Sequence, residues 1–353
     1  MSLFCTVRVS HTISSVLARA ASAAALASSA VACACAAALL ALSGGAWAQS
    51  VVIGHFGNPT PMQVAASEGK FSEATGWDVE WRKFAAGTDV IAAMASGDIK
   101  VAELGSSPLA IAATQGVDLE MFMVAQVIGN AESLIVRDGS EIATIEDLKG
   151  KRIATPVGST AHFSLMGVLA KAGLSTSDVN IMSMPPDQIA AAWEQGAIDG
   201  AFIWQPVQNQ LLQSGTRLVG ADQTAEWGYP TFDAWVVNKQ FAEQNREGLI
   251  GFIKTINDAN NAYLDDKQAW TADSEQVKII ADYTGADPAQ VPDVLSGYTF
   301  LPLSEQVKPE WLGGGLSDVL KSTAEFLKEA GRIDSVGEDY APFVTDAYVK
   351  AAQ

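Results

Sequence analysis

The sequence predicts an α/β fold with two lobes, and three observations lead to this class. Short apolar strands alternate with amphipathic helices, which is the pattern of α/β domains. The alternation runs through two successive sets and is followed from Phe241 by a mainly helical part. No low-complexity linker separates the two sets, so we expect the chain to pass between the lobes on ordered strands.

Residues 1–48 have the pattern of an export signal. Arg8 and Arg19 are the only charged residues there, the stretch 20–42 is Ala-rich, and "AWA" is a small-x-small cleavage pattern before Gln49. A transmembrane anchor and a lipoprotein signal around "VACAC" are the alternatives. The mostly alanine composition and the processing pattern favour a cleaved signal.

Cysteine placement and charge exclude several classes of function. All three cysteines lie within residues 1–48, so the exported chain is expected to lack thiol nucleophiles, Cys-ligated metals and disulfides. Without Arg8 and Arg19, 20 of the 22 basic residues remain against 40 acidic ones, a formal charge of −20. Such a surface repels nucleic acid and anionic lipid, but a site with local donors can still bind a small anion.

The first set of elements has alternating or continuous apolar runs for strands and apolar residues at helical spacing for helices. The predicted strands are "VVIGHF" (51–56), "WDVEWRKF" (77–84), "KVAEL", "LEMFMVAQV" and "SLIVR". The predicted helices between them are "MQVAASEGKF", "TDVIAAMASG" and "PLAIAATQ".

The second set repeats the alternation, and the rest of the chain is helical. Its strands are "KRIATP", "VNIMSM", "GAFIW", "TRLVG" and "DAWVVNK", and its helices are "IEDLKG", "TAHFSLMGVLAKAG" and "PDQIAAAWEQG". Beyond Phe241, "REGLIGFIKTINDANNAYLDD", "DSEQVKIIADYTG" and "LSDVLKSTAEFLKEAG" have the helical spacing.

The segment "ELGSSPLA" places two hydroxyl residues where a strand meets a helix. Pro108 suits the first helical position, because its missing N–H would have no partner there, and this makes Ser107 the predicted N-cap. Gly105 allows close approach to the free N–H groups at the positive end of the helix dipole. The segment is therefore either an anion-binding cup or an ordinary serine cap, which stabilises a helix by about 1 kcal/mol.

A second copy of this pattern favours anion binding. In "PVGSTAHFSL", a glycine is again followed by two hydroxyl residues, Ser159 and Thr160, between a strand and a helix. Two helix N-termini with paired hydroxyls, one in each lobe, could clamp a single oxyanion. Their donors are neutral and suit a permanently ionised sulfonate or sulfate.

Asp233, in "YPTFDAWVV", is the acid that its position singles out. It lies at the mouth of a strand between Phe232 and Trp235, and such partial desolvation favours a cationic partner; a surface-turn acid is the alternative. Trp204 either lines a ligand site at its strand end or packs in the core. Asp199, in a tight turn, is interpreted as structural.

Signals of enzymatic chemistry are weak. Beyond residue 48 the only histidines are His55 and His162, and "GSTAH" is not a G-x-S-x-G nucleophile elbow. The sequence has no P-loop, HExxH, EF-hand or G-x-G-x-x-G pattern. An exported hydrolase built on His162 is the unfavoured alternative, and we predict no enzymatic activity, no cofactor and no metal site.

Four segments resemble the taurine-binding periplasmic proteins of ABC importers, within the wider group that binds aliphatic sulfonates. They are "ASGDIKVAELGSSPLAIAATQGV", "GKRIATPVGSTAHFSL", "AAAWEQGAIDGAFIWQP" and "WGYPTFDAWVV". The resemblance runs from about Val51 to near Tyr348. "WRKF", "GSSPLA" and the W-G…P-T-x-D-x-W run are more specific to the taurine branch than "LGSSP" is.

The resemblance implies a two-lobed periplasmic-binding-protein fold of type II with a helical C-terminal part. Two hinge strands would cross near 135–138 and 235–238, with 49–136 and 237–353 in lobe 1 and 137–236 in lobe 2. It implies a monomeric receptor that captures taurine or a similar small sulfonate in the periplasm and delivers it to a membrane ABC permease, without a nucleic-acid partner. Another small sulfonate, a sulfate ester or a related organic solute is the alternative ligand.

The resemblance also implies ligand-binding roles for nine residues. Ser106, Ser107, Ser159 and Thr160 would surround the sulfonate, Asp233 would meet the ammonium, and Phe56, Asn58, Asn130 and Trp204 would line the same cleft. The loop "HFGNPTPMQ" has no carboxylate, whereas some relatives have one there. Asp233 is therefore the one acid expected at the amine.

Overall fold

The structure, a computed structural model, describes residues 48–353. The predicted export signal lies outside the described residues, apart from Ala48. The strands are β1 (Gln49–His55), β2 (Trp77–Lys83), β3 (Val101–Gly105), β4 (Glu120–Ile128), β5 (Glu132–Arg137), β6 (Arg152–Thr155), β7 (Asn180–Ser183), β8 (Gly200–Trp204), β9 (Gly215–Gly220), β10 (Phe232–Val237) and β11 (Tyr298–Thr299).

The helices alternate with the strands up to Val237 and dominate after it. They are α1 (Met62–Ser67), α2 (Lys70–Thr75), α3 (Gly87–Ser96), α4 (Ser106–Thr114), α5 (Thr160–Ala172), α6 (Pro186–Glu194), α7 (Val207–Leu212), α8 (Ala221–Glu226), α9 (Lys239–Gln244), α10 (Arg246–Asp265), α11 (Glu275–Thr284), α12 (Val291–Ser296), α13 (Leu303–Gln306), α14 (Gly315–Glu329) and α15 (Ala347–Ala352). Short 3₁₀ helices occupy Ile145–Leu148, Lys267–Ala269 and Ala341–Phe343.

The strands form two sheets built on one plan. The first has the order β11-β4-β10-β3-β1-β2, and the second has the order β7-β6-β8-β5-β9. In each sheet three strands are parallel, and an antiparallel strand lies beside them: β10 next to β3, and β5 next to β8. The predicted α/β class is confirmed.

The two passages between the sheets lie elsewhere than predicted. The chain leaves the first sheet at Ile128 and enters the second at Glu132; it leaves the second at Gly220 and re-enters the first at Phe232. The predicted crossings near 135–138 and 235–238 are wrong, because those positions lie at the far ends of β5 and β10. A short turn makes the first passage, and the segment containing α8 makes the second.

The hydrophobic core is divided between the sheets. One cluster surrounds the first sheet, with Ile53 and Leu104 at its centre. A second cluster joins Leu134 and Ile153 of the second sheet to residues of the 263–300 segment. Part of the C-terminal segment therefore packs with the second sheet, and the lobe limits at 136 and 237 stay a prediction.

The first predicted helix, "MQVAASEGKF", is two helices. Gly69 adopts φ 73°, a left-handed conformation that ends α1 and starts α2. Among residues 48–353, none of the helices is long and apolar enough to cross a membrane.

Candidate ligand-binding site

A small cleft lies where the carboxyl ends of parallel strands from both sheets meet, the usual place for ligands of open α/β sheets. Its cavity volume is about 30 Å³. The first sheet and its loops contribute Phe56, Asn58, Gly87, Gly105, Pro108 and Asp233, and the second contributes Glu132, Ser159, Thr160 and Trp204. Six residues of the predicted set are therefore brought together: Phe56, Asn58, Ser159, Thr160, Trp204 and Asp233.

The first strand-helix junction differs in register from the prediction. Helix α4 begins at Ser106, and its N-cap is Gly105 rather than Ser107. Pro108 then stands third in the helix, still within the first turn, where a missing N–H costs no helical hydrogen bond. The hydroxyl of Ser106 accepts a 3.5 Å hydrogen bond from the Phe232 amide, whereas the buried hydroxyl of Ser107 has no partner among the described residues.

The second junction follows the expected pattern more closely, but its hydroxyls are already engaged. Ser159 is the N-cap of α5, and its hydroxyl accepts a 3.2 Å hydrogen bond from the His162 amide. The Thr160 hydroxyl donates a 2.6 Å hydrogen bond to Oε1 of Glu132. The second junction is thus tied to an acid that sequence reasoning did not select.

Asp233 is buried as predicted, with 5% of its surface exposed, but it does not act alone. The Gln126 amide Nε2 donates to Oδ2 of Asp233 at 2.8 Å and to Oε1 of Glu103 at 2.7 Å. The other oxygen of Glu103 accepts a 3.3 Å hydrogen bond from the Phe56 amide. One amide group therefore holds two buried carboxyl groups side by side, and both of its hydrogens are used.

Glu103, Glu132 and Asp233, here named the carboxyl cluster, have shifted pKa values with a common first cause. Burial raises the pKa of all three acids. The pKa of Glu132 rises to about 7, because burial outweighs the hydrogen bond from Thr160, which lowers the pKa. The neighbouring Glu103 and Glu132 raise the pKa of Asp233 further. None of the ion pairs among the described residues involves these acids, so the cluster lacks a basic counterpart there.

Three residues of the predicted set do not line the cleft. Ser106 and Ser107 are buried and lie in the chain between the lining residues Gly105 and Pro108. Asn130 is exposed in the passage between the sheets, and its amide donates a 3.3 Å hydrogen bond to Asp222. Asn130 lies in this turn because the chain passes from the first sheet to the second between Ile128 and Glu132. The predicted crossing was farther along the chain, near 135–138.

Sequence reasoning missed Glu103, Gln126 and Glu132. Glu103 and Gln126 are isolated polar residues among apolar neighbours in the strands "VAELG" and "FMVAQVI", and Glu132 begins a strand beside Ser133 in "AESLIV". A polar side chain in a run that is otherwise buried is costly without a partner. That signal was available, although it could not show that the three side chains meet.

Asp199 has the structural role that was predicted for it. Its carboxylate pairs with the Arg152 guanidinium, with Oδ1 and Nη2 2.6 Å apart, and accepts a hydrogen bond from the Arg152 amide. Both contacts join the strands β6 and β8 away from the cleft lining.

The fold and the site together define a class: an α/β solute-binding protein with a small polar cleft between two sheets of like topology. The chain belongs to the family described as NMT1/THI5 like, whose model matches residues 57–269. That match covers the cleft lining from Asn58 onward.

Individual relatives agree with this assignment. The taurine-binding periplasmic protein of Escherichia coli (strain K12) is 38% identical over 305 residues, which cover 86% of this chain and 94% of that protein. The alkanesulfonate-binding protein SsuA from Xanthomonas axonopodis pv. citri, solved bound to MOPS, superimposes with a TM-score of 0.68 at 23% identity, covering 86% of this chain and 99% of that one. The fold predicted from the resemblance, that of a periplasmic binding protein, is therefore confirmed.

The same fold also occurs in an enzyme. The desulfurization enzyme DSZB superimposes with a TM-score of 0.62 at 14% identity, covering 86% of this chain and 98% of the other. A likeness at that level of identity shows the fold alone, so the activity of this chain has to be argued from its own residues.

Proposed function

We propose that the protein is a periplasmic receptor that captures taurine and delivers it to an ABC importer. The observation that carries the proposal is a cleft lined by two helix N-termini and by buried carboxyl groups that have no basic partner among the described residues. A zwitterion with a sulfonate and an ammonium group matches both kinds of group. The 38% identity to the taurine-binding protein of E. coli over most of the chain supports the same ligand.

The anionic end of the ligand is assigned to the two helix N-termini. The first-turn amides of α4 and α5 have no acceptor within their own helices, apart from that of His162, which Ser159 caps. The positive ends of both helix dipoles favour a negative charge between them. The free hydroxyl of Ser107 supplies a further donor on the α4 side.

The cationic end is assigned to Asp233 and Glu132. Both line the cleft and both are 5% exposed. Burying an ammonium group costs several kcal/mol unless a carboxylate meets it. A plain alkanesulfonate would leave these acids without a counter-ion, which is why taurine is favoured over it.

A receptor without catalytic activity is the reading that the local chemistry favours. His162 is buried, and burial lowers its pKa to about 4, with a smaller contribution from Arg332. Neither of its ring nitrogens has a hydrogen-bond partner among the described residues, and Ser159 contacts only its backbone amide. A hydrolase needs a nucleophile and a base in contact, and this pair lacks that contact.

Export and lobe movement complete the proposal. Residues 1–48 would be removed on export, and the monomeric remainder would close around its ligand, with the first sheet moving against the second and the passages at 129–131 and 221–231 as hinges. Small-angle scattering tests the closure: saturating taurine should reduce the radius of gyration. An unchanged radius would argue for a rigid cleft.

A binding screen tests the ligand directly. Thermal shifts should be measured with taurine, hypotaurine, ethanesulfonate, longer alkanesulfonates, sulfate and amino acids, because a ligand that binds only the folded state raises its stability by mass action. Taurine should give the largest shift, and incubation should return it unchanged. A larger shift with ethanesulfonate, or turnover of any ligand, would contradict the proposal.

A further inference from the structure

The carboxyl cluster contains three carboxyl groups, more than one ammonium group can neutralise. This excess affects which ligands the cleft selects. Glu103 and Asp233 share the Gln126 amide, and Glu132 approaches the same cleft from the second sheet. All three are 5% exposed. Like charges packed this closely in a poorly solvated space do not all ionise, so at least one proton is retained when no cation is present.

Glu132 has an atom free to carry that proton. Its Oε1 accepts from Thr160, but its buried Oε2 has no partner among the described residues. An unpartnered carboxylate oxygen in such a place is costlier than a neutral, protonated carboxyl group. The oxygen belongs to a residue that lines the cleft, so the acid can face a ligand.

The surroundings of the cluster contain titratable groups, and the part of the chain that the structure describes forms no ion pair with it. Tyr298 on β11 is buried, and burial, followed by the three acids, raises its pKa well above the ordinary value. His55 precedes the loop that binds Glu103, and burial followed by Lys83 lowers its pKa to about 4. His162 on α5 is likewise neutral at pH 7 because burial and then Arg332 lower its pKa. The Lys83 side chain lies against Gly57, next to the lining loop.

We propose that the carboxyl cluster is a specificity device that stores a proton while the cleft is empty and releases it when an ammonium-bearing ligand binds. The O–H bond of a carboxyl group, placed on Glu132 Oε2, breaks; its proton passes to solvent, and the carboxylate left behind faces the ligand's ammonium group. A sulfonate without an amine displaces no proton. This inference rests on the proposed function, because it assumes that the cleft binds taurine.

Calorimetry in several buffers tests the inference. Titration at pH 7 in phosphate, imidazole and Tris, which differ in ionisation enthalpy, gives the number of protons exchanged. We expect release of between about half a proton and one proton per taurine, because a pKa of about 7 leaves Glu132 roughly half protonated at this pH in the empty cleft. The ligand's alkylammonium group is already protonated, as that of lysine is, and takes up no proton. Ethanesulfonate should show an enthalpy that is the same in all three buffers.

The pH dependence gives a second readout of the same device. Because a released proton competes with the ligand, taurine affinity should rise up to about tenfold per pH unit between pH 6 and pH 7 and level off above the pKa of the cluster. Ethanesulfonate affinity should stay flat or fall, since ionised acids repel its sulfonate.

Substitutions identify which acid of the carboxyl cluster carries the stored proton. E132Q keeps the shape of the side chain but removes its titration, and should lower proton release by half or more. E73Q, at an exposed acid on α2, is the matched control and should leave release unchanged. If E132Q fails to fold, the buffer series on the unaltered protein still decides.

Two failures are distinguishable. If taurine binds with a buffer-independent enthalpy and a flat pH profile, the proton-release inference is overturned and the proposed function stands. If taurine gives neither heat nor a thermal shift, the proposed function is overturned and the inference with it.

Discussion

The two strand-helix junctions at the cleft have nearly the same sequence pattern and different structures. In Gly105-Ser106-Ser107 the glycine is extended, with φ −66° and ψ 155°, and is itself the N-cap, so the helix starts at the first serine. In Gly158-Ser159-Thr160 the glycine has φ 91° and forms a turn, so the cap moves to Ser159. The conformation of the glycine decides which hydroxyl group caps the helix and which remains free for a ligand.

Each junction also has its own buried acid. Gly105 pairs with Asp233 across β3 and β10, and Thr160 donates to Glu132. Among residues 48–353, the first junction therefore combines an unpartnered hydroxyl with an acid whose side chain bonds Gln126 alone, whereas the second combines engaged hydroxyls with an acid bonded to one of them. Four substitutions should separate these roles.

The largest effect is expected at the acid of the first junction. D233N keeps the size and removes the charge, so it should weaken taurine binding by about 2–4 kcal/mol, the range for breaking a buried charge pair. Ethanesulfonate binding should fall less or improve, because it has no ammonium group. Calorimetry measures the affinity of the variant for both ligands. The control is D282N, a substitution at an exposed acid on α11. Equal loss of both ligands would make Asp233 structural.

Glu132, the acid of the second junction, should make the free energy of unfolding of the ligand-free protein depend on pH. Burial raises the pKa of Glu132 from 4.5 to about 7 in the folded state. Its stabilising contribution is therefore fully present below pH 4.5 and is lost as the pH rises through 7, because only the unfolded chain ionises easily in that window. The loss is about 3 kcal/mol between pH 4 and pH 7.

Urea denaturation at several pH values measures that loss. The E132Q variant should show a flatter profile than the unaltered protein across this window. Parallel profiles for the two proteins would place the titration on another group.

The free hydroxyl of the first junction should matter for the ligand and not for the fold. S107A removes a buried hydroxyl without a partner, so the free energy of unfolding should stay the same or rise. Taurine binding should weaken by about 1.5–3 kcal/mol, the range for a hydrogen bond to a charged group. Unchanged affinity by calorimetry would show that Ser107 does not reach the sulfonate.

The cap of the second junction should show the opposite pattern, with the smallest effect. S159A removes an N-cap and should lower the free energy of unfolding by about 1 kcal/mol. Its taurine affinity should change less than that of S107A, since its hydroxyl is already bonded to the His162 amide. A larger affinity loss in S159A than in S107A would reverse the assignment of the two junctions.

The sequence was sufficient for the elements whose pattern is local. The strands around Ile53, Leu104 and Ile203 lie where alternation and apolar runs predict them. A buried strand can be recognised from the period and composition of its own residues. The break at Gly69 was missed because a helical apolar spacing continues through it, and only the left-handed backbone shows the end of α1.

The parts of the site that depend on long-range pairing could not be predicted. Glu103, Gln126 and Asp233 are up to 130 positions apart and meet only because β10 inserts between β3 and β4. Asp233 was selected because its aromatic neighbours are adjacent in sequence, whereas Glu132 has no such local mark. The crossings were misplaced for a related reason: no local pattern tells where a strand leaves one sheet for another.

The missing side chain at Gly105 has a consequence for how long a ligand stays bound. A Cβ atom there would lie 3.0 Å from Cγ2 of Thr160 and 3.3 Å from Oδ1 of Asp233, so the sheets approach each other at this point with less than a methyl group of clearance. A methyl wedge would hold the closed form slightly open while leaving the donors and acids in place. We therefore expect Gly105 to set the residence time and not the choice of ligand: in a stopped-flow displacement experiment, G105A should release taurine faster while keeping the preference for it over ethanesulfonate. A receptor of the proposed kind serves its importer only if the solute stays bound until the two proteins meet, and the lack of a side chain at Gly105 would lengthen that interval.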